Sequence, residues 1–279
     1  MLALALPALA AGPERGILWR IERGGETVGH LFGTIHSDRP EVLDLPGPVE
    51  RAFERSERYA FELDLRTLDR GEIVRIMTYA DGGSLEGHLP APLWARVRAA
   101  APKRGLDPRT LDPLEPWAVA MLLSQPRTDP QRVLDHALQR RALASGRPVS
   151  GLETIAEQLS VFDRLHAERQ LELLRTAVGL IEDGRAEPLF EDLVRAWLRR
   201  DLQRLVALAE AHPSLPDPAA NERFMTRLLH DRNRRMLERM QGLLDQGGAF
   251  VAVGAMHLAG ERGLVRLLQA RGFVLEAVY

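Results

Sequence analysis

Leu31-Phe32-Gly33-Thr34-Ile35-His36 and Ala252-Val253-Gly254-Ala255-Met256-His257, near opposite ends of a 279-residue chain, share one plan. In each, an apolar segment of strand character stops at glycine, and histidine follows three residues later. Glycine at a strand exit permits a positive φ or a close approach of backbone to a ligand, which a Cβ would obstruct. If the two segments are parallel neighbours in one sheet, both imidazoles project at its carboxyl edge, where open α/β sheets bind ligands. The echo implies a sheet assembled from the two ends of the chain.

Working outward, apolar segments 17–21 and 28–32 flank the polar turn Arg23-Gly24-Gly25-Glu26, as a β-hairpin requires. A helix is expected over 49–58, then a largely buried strand over 59–63 that contains Glu62. From 67 to 147 the pattern is helical, broken by Gly82-Gly83, Pro90, Pro92, Pro102, Pro113 and Pro116. Residues 148–151 form a brief strand candidate, and a single long helix is expected over 154–181, with Ile155, Leu159, Phe162 and Leu165 at helical spacing. Helices over 188–211 and 221–244 follow, then a strand over 250–253, a helix over 260–270 and a closing strand over 273–278. The expected fold is α/β with α+β character: a mixed central sheet built from N- and C-terminal segments, with a large helical insertion. One domain spans 13–279, with 13–66 and 248–279 as sheet core and 67–247 mainly helical apart from the short strand near 148–151.

Lys and Arg number 37 against 39 for Asp and Glu, so no charge excess steers the chain toward nucleic acid or an anionic membrane. The absence of cysteine removes disulfides, thiolate nucleophiles and iron-sulfur clusters, so any metal must be held by His, Asp or Glu. Residues 1–12 are an apolar, alanine-rich run that reads as the end of a secretory signal without its basic start. Export to the periplasm is expected, or a cytoplasmic protein if that run is only a hydrophobic tail. No other stretch approaches the length of a membrane span. The oligomeric state stays open.

The residues suggest a metal site. A carboxylate such as Glu62 inside an apolar strand must be paired, protonated or bound to a cation, unless alternation places it on a solvated face. His36, His257 and Glu62 together make the three-ligand set of a hydrolytic centre, which leaves a coordination position for water. Glu153, at the end of another strand candidate, is the candidate general base. Nitrogen and oxygen donors suit manganese, cobalt, zinc or iron alike. Each Gly-x-x-His is weak alone. The other histidines, His30, His88, His136, His166, His212 and His230, lack the helical spacing of zinc peptidases and are read as structural.

At Phe32-Gly33-Thr34-Ile35-His36, Phe61-Glu62-Leu63-Asp64, Gly151-Leu152-Glu153-Thr154 with Glu157-Gln158, Arg232-Asn233, and Val253 to Leu258 with Gly260 and Gly263, the chain resembles the TraB/GumN family. Relatives of that family include the Tiki proteases of Wnt signalling and bacterial pheromone-shutdown proteins. The resemblance covers nearly the whole chain after residue 12. It implies a divalent-metal-dependent, peptidase-like centre at His36, His257 and Glu62, and distant kinship with erythromycin-esterase-like and haem-binding ChaN-like folds.

Arg232 and Asn233 then either orient substrate carbonyls, brace the ligands, or belong to a solvated helix face. Asp64 and Asp38 are candidate partners of a histidine N–H. Glu157 and Gln158 read first as helix-capping residues. The expected function is a metal-dependent hydrolase, a peptidase acting on peptide or protein segments. The alternatives are an ester or lactone hydrolase on the same site, or a non-catalytic binder of peptide or haem.

Overall fold

Gly24 and Gly25 have φ of 62° and 83°, the left-handed pair that a two-residue hairpin turn demands. Strand β1 (Leu18–Arg23) therefore folds back antiparallel on β2 (Glu26–Thr34), with Arg23 opposite Glu26. The remaining strands are β3 (Arg58–Phe61), β4 (Val149–Gly151), β5 (Ala249–Gly254) and β6 (Val274–Ala277). They form one mixed sheet in the order β4-β3-β5-β2-β1-β6. The computed structural model describes residues 15–279, so the run read as a signal remnant lies outside the described residues.

Strand β5 is the axis of the sheet. Its apolar run Ala-Phe-Val-Ala-Val is buried throughout without alternation, as a strand covered on both faces requires. It pairs in parallel with β2 on one side and β3 on the other, and β4 adds in parallel to β3. The two ends of the chain thus meet at the centre of the sheet. The exits of β2, β3, β4 and β5 all lie at one edge. Only β1 runs against them, with β6 antiparallel beside it.

The expected α/β architecture is observed, with different element boundaries. Glu62 is the first residue beyond β3 and not within it, because pairing ends at Phe61, opposite Ala252. The helix expected over 154–181 is two, Ile155–Asp163 and Ala167–Glu182. No glycine or proline marks the break; the Gln170 amide donates to the Leu165 carbonyl at 3.0 Å, satisfying a group the helix leaves open.

The helix expected over 188–211 is likewise two, Ala186–Leu198 and Leu202–Ala211. Arg200 takes a left-handed φ of 59° between them. The Arg200 and Asp201 N–H groups donate back to Trp197 and Ala196, a Schellman closure. Asp201 then caps the next helix by accepting from the Arg204 N–H. The last long helix runs from Pro218 to Gln246, but its stretch Thr226–Asp231 is π-helical.

Two large hydrophobic cores result. One surrounds the sheet and includes Trp197, Leu205 and Met236. The other lies within the helical insertion around Trp94, Leu123, Leu174 and Phe224. None of the helices among the described residues is long and apolar enough to cross a membrane.

Candidate active site

The carboxyl edge of the parallel strands opens into a cavity of about 680 Å³, floored by Glu62, His257 and Arg232. Gly254, at the end of β5, donates its backbone N–H to Glu62 Oε1 at 2.7 Å. A Cβ there would stand only 3.3 Å from that oxygen. Its φ is an ordinary −53°, so close approach and not a left-handed turn is what suits glycine here.

The other oxygen of Glu62 accepts from Arg232 Nη2 at 2.7 Å and from Gln158 Nε2 at 3.1 Å. Burial opposes ionisation of Glu62. The charge that His257 acquires in acid, the Arg232 charge and the Gly254 N–H outweigh it and hold the carboxyl at about 2.

His257, 4% exposed, follows in the 3₁₀ turn Ala255–His257. Its Nδ1 lies 2.6 Å from Asn233 Oδ1. The Asn233 amide nitrogen donates to the carbonyls of His257 and Arg262, which fixes the amide with its oxygen toward the ring. Nδ1 therefore carries the proton and Nε2 the lone pair. Burial, reinforced by Arg232, pushes the imidazole down to about 4, against the pull of Glu62. At neutral pH an uncharged Nε2 faces an ionised carboxylate oxygen at 3.7 Å, with no proton between them.

That pair fits a shared cation. An ion about 2.1 Å from both donors, at the tetrahedral angle, sets them roughly 3.4 Å apart. Among the described residues no three His, Asp or Glu side chains stand close enough together to hold an ion. His36 lines the same cavity from the loop after β2, with its side chain 58% exposed. Its Nδ1 lies 2.9 Å from Asp135 Oδ2. The Asp135 interaction raises its pKa above the ordinary histidine value against the opposing effect of burial.

Glu153 is withdrawn from the cavity. Its side chain is fully buried; Oε2 accepts from Arg232 Nε at 2.8 Å and Oε1 from Arg235 Nη2 at 2.9 Å. Arg232 thus lies between two carboxylates, and its third nitrogen donates to Leu228 O, a carbonyl of the π-helical stretch. Asp64 caps the 3₁₀ turn Leu65–Thr67 and pairs with Arg66. Asp38 accepts from the Asp129 N–H. Neither meets a histidine through these contacts. Glu157 forms the capping box with Thr154, whereas Gln158 reaches back to Glu62 and Glu153.

Several contributors carried no sequence signal. Gln139 clamps the chain after Glu62, donating to Leu63 O at 2.7 Å and accepting from Leu65 N at 2.6 Å. Trp197 Nε1 donates to Gly33 O at 2.8 Å and walls the cavity. His136, read from the sequence as structural, lines the cavity with its ring centroid 6.1 Å from that of His36. Asp135 precedes it. Tryptophan, glutamine and aspartate inside ordinary helices have no spacing that would single them out.

The TraB/PrgY/gumN family pattern matches residues 17–277. The chain is 26% identical to a protein of the sponge Amphimedon queenslandica named Metalloprotease TIKI homolog, covering 93% of this chain and 61% of that one. It is 26% identical to Metalloprotease TIKI2 of Danio rerio, over 93% of this chain and 60% of the other. It is 22% identical to the Uncharacterized protein YbaP of Shigella flexneri, over 88% and 89% of the two chains. The chain therefore spans about three fifths of the length of the two TIKI relatives. No solved structure matches it.

Proposed function

The chain belongs to the TraB/PrgY/gumN family, and from that premise we propose that it is a metal-dependent hydrolase that cleaves peptide or protein segments. One observation carries the reading: the neutral His257 Nε2 facing the ionised Glu62 Oε1 at 3.7 Å, at the floor of a cavity wide enough for a peptide side chain. The names of the TIKI relatives, metalloproteases, point the same way.

In this reading His257 and Glu62, the pair that face each other, hold the ion, and His36, which lines the same cavity but does not stand within ligating reach of them, would have to move in to complete the set. When bound, a divalent ion such as manganese, cobalt or zinc supplies Lewis acidity, polarising a carbonyl and acidifying water. Asn233 fixes the tautomer of His257 so that its lone pair faces the cavity. Arg232, Gln158 and the Gly254 N–H hold Glu62 ionised and in one rotamer. Of the two carboxylates expected to act, only Glu62 faces the cavity, and Glu153 anchors Arg232 from behind and is not placed to take a proton. Leu193, Trp197, Leu228 and Met256 on the walls suit apolar side chains flanking the scissile bond. The apolar run at the N-terminus supports export, with the periplasm as the site of action.

The test is digestion of a peptide library by protein purified without chelator, with and without Mn²⁺, Co²⁺ or Zn²⁺. Cleavage should require an ion and fall about a hundredfold or more in Glu62→Gln and His257→Ala. Undiminished cleavage by Glu62→Gln, or none with any ion, would sink the proposal.

A further inference from the structure

We infer that Asp135 is the positioning residue of His36, the counterpart of Asn233 at His257. The helix Leu134–Ala144 begins beside the loop that carries His36, and three links join them. The Thr34 hydroxyl donates to Asp135 Oδ1, His36 Nδ1 lies 2.9 Å from Asp135 Oδ2, and the Leu134 N–H donates to Ser37 O at 3.0 Å. Thr34 two residues before His36, the His36 ring and Ser37 after it are thus all referred to one helix start.

A carboxylate oxygen 2.9 Å from His36 Nδ1 attracts an N–H and repels a lone pair, so the contact favours the hydrogen on Nδ1 and the lone pair on Nε2, through charge and proximity and not through an aligned hydrogen bond. Both cavity histidines then share one arrangement, with Nδ1 held by an oxygen from a helix and Nε2 free. The environments differ in a way that makes Asp135 the more needed. His257 is 4% exposed and held by Asn233, whereas the His36 side chain is 58% exposed and meets His136 only edge-on. Packing alone does not choose its tautomer or rotamer. A carboxylate behind a ligating imidazole also raises its donor strength.

The consequence for ion binding rests on the proposed hydrolase reading, while the tautomer of His36 does not. Two measurements on the full chain separate them. Nitrogen-15 NMR of the imidazole rings in ion-free protein at pH 9 reads the tautomer, and calorimetric titration with Zn²⁺ reads affinity. Wild type should show His36 as Nδ1–H. Asp135→Ala should convert it to the Nε2–H form and weaken Zn²⁺ binding about tenfold to a hundredfold. Asp135→Asn, which keeps shape and an acceptor oxygen but no charge, should fall between the two and guards against loss of fold in the alanine variant.

An unchanged His36 tautomer in both variants would overturn the inference. So would a changed tautomer with Zn²⁺ affinity equal to wild type, since positioning would then serve no cation. If wild type takes up no Zn²⁺ yet its tautomer depends on Asp135, the positioning stands and the hydrolase reading falls.

Discussion

Arg232 is the residue on which the electrostatics of the site turn, because the half-buried Glu62 and the fully buried Glu153 both lean on its guanidinium. Removing one partner of a buried ion pair leaves an uncompensated charge, typically a loss of about 3–5 kcal/mol. Arg232→Met should therefore destabilise by that order at neutral pH in urea denaturation, and adding Glu62→Gln to it should recover part of the loss. The sign with pH follows from Glu62. Its carboxyl lies at about 2 in the folded protein, below its ordinary 4.5, so it contributes stability that is present above 4.5 and lost as pH falls through about 2. The deficit of Arg232→Met should accordingly be widest above pH 4.5 and narrow toward pH 2; a deficit that does not vary with pH would contradict this account. That His36 and His257 would reach one sheet edge was legible in the sequence, since a glycine at a strand exit with a histidine three residues on is a local pattern. Asp135 and His136 were not, because only tertiary folding brings a polar helix start beside a loop so distant in sequence.

Among the elements, the strands were read to within two residues at each end and two helices were read through breaks, for a physical reason. Strand ends coincide with turn chemistry, such as Gly24-Gly25, whereas the helix breaks at Leu165 and Arg200 are made by hydrogen bonds from residues that are themselves unremarkable. The π-helical stretch Thr226–Asp231 was equally silent, and it brings Leu228 and Leu229 to the cavity just before Arg232. Two element-level outcomes test this picture. Gly33, in β2, would put a Cβ 3.0 Å from the Ala255 Cα, so Gly33→Ala forces the exits of β2 and β5 apart and should cost about 1–3 kcal/mol. Equal stability of that variant in urea would show that the exits are not packed against each other. At the start of the helix Ile155–Asp163, Arg239 and then the Thr154 N–H outweigh burial and hold Glu157 at about 2, below its ordinary 4.5. That contribution is present above 4.5 and lost as pH falls through about 2. Glu157→Gln should be less stable than wild type by about 1–2 kcal/mol at pH 7, and the two melting curves should converge near pH 2.

At the scale of the molecule, the cavity lies where the two hydrophobic cores meet. Met256 and Trp197 pack with the sheet core, Leu228 packs with the helical core, and all three line the cavity. The sheet core is closed by strands from both ends of the chain, so its pairing is the most non-local in the structure and β5 is hydrogen-bonded on both sides. The helical core is built within one continuous insertion, from segments such as Ala91–Ala100, Pro116–Ser124 and Ala167–Glu182. Cooperative units of this kind open with separate free energies when their cores are separate. Native-state hydrogen exchange should therefore show the amides of those three helices exchanging together through an opening of lower free energy than the amides of β2 and β5. Identical protection in both groups would mean that the cores unfold as one. The difference matters for the site, because Arg232 and Leu228 are carried on the helix that joins the cores, whereas Glu62, His36 and His257 are carried on the sheet edge. An opening of the insertion that leaves β2 and β5 paired would widen the cavity and draw Arg232 from Glu62 without disturbing the strand exits.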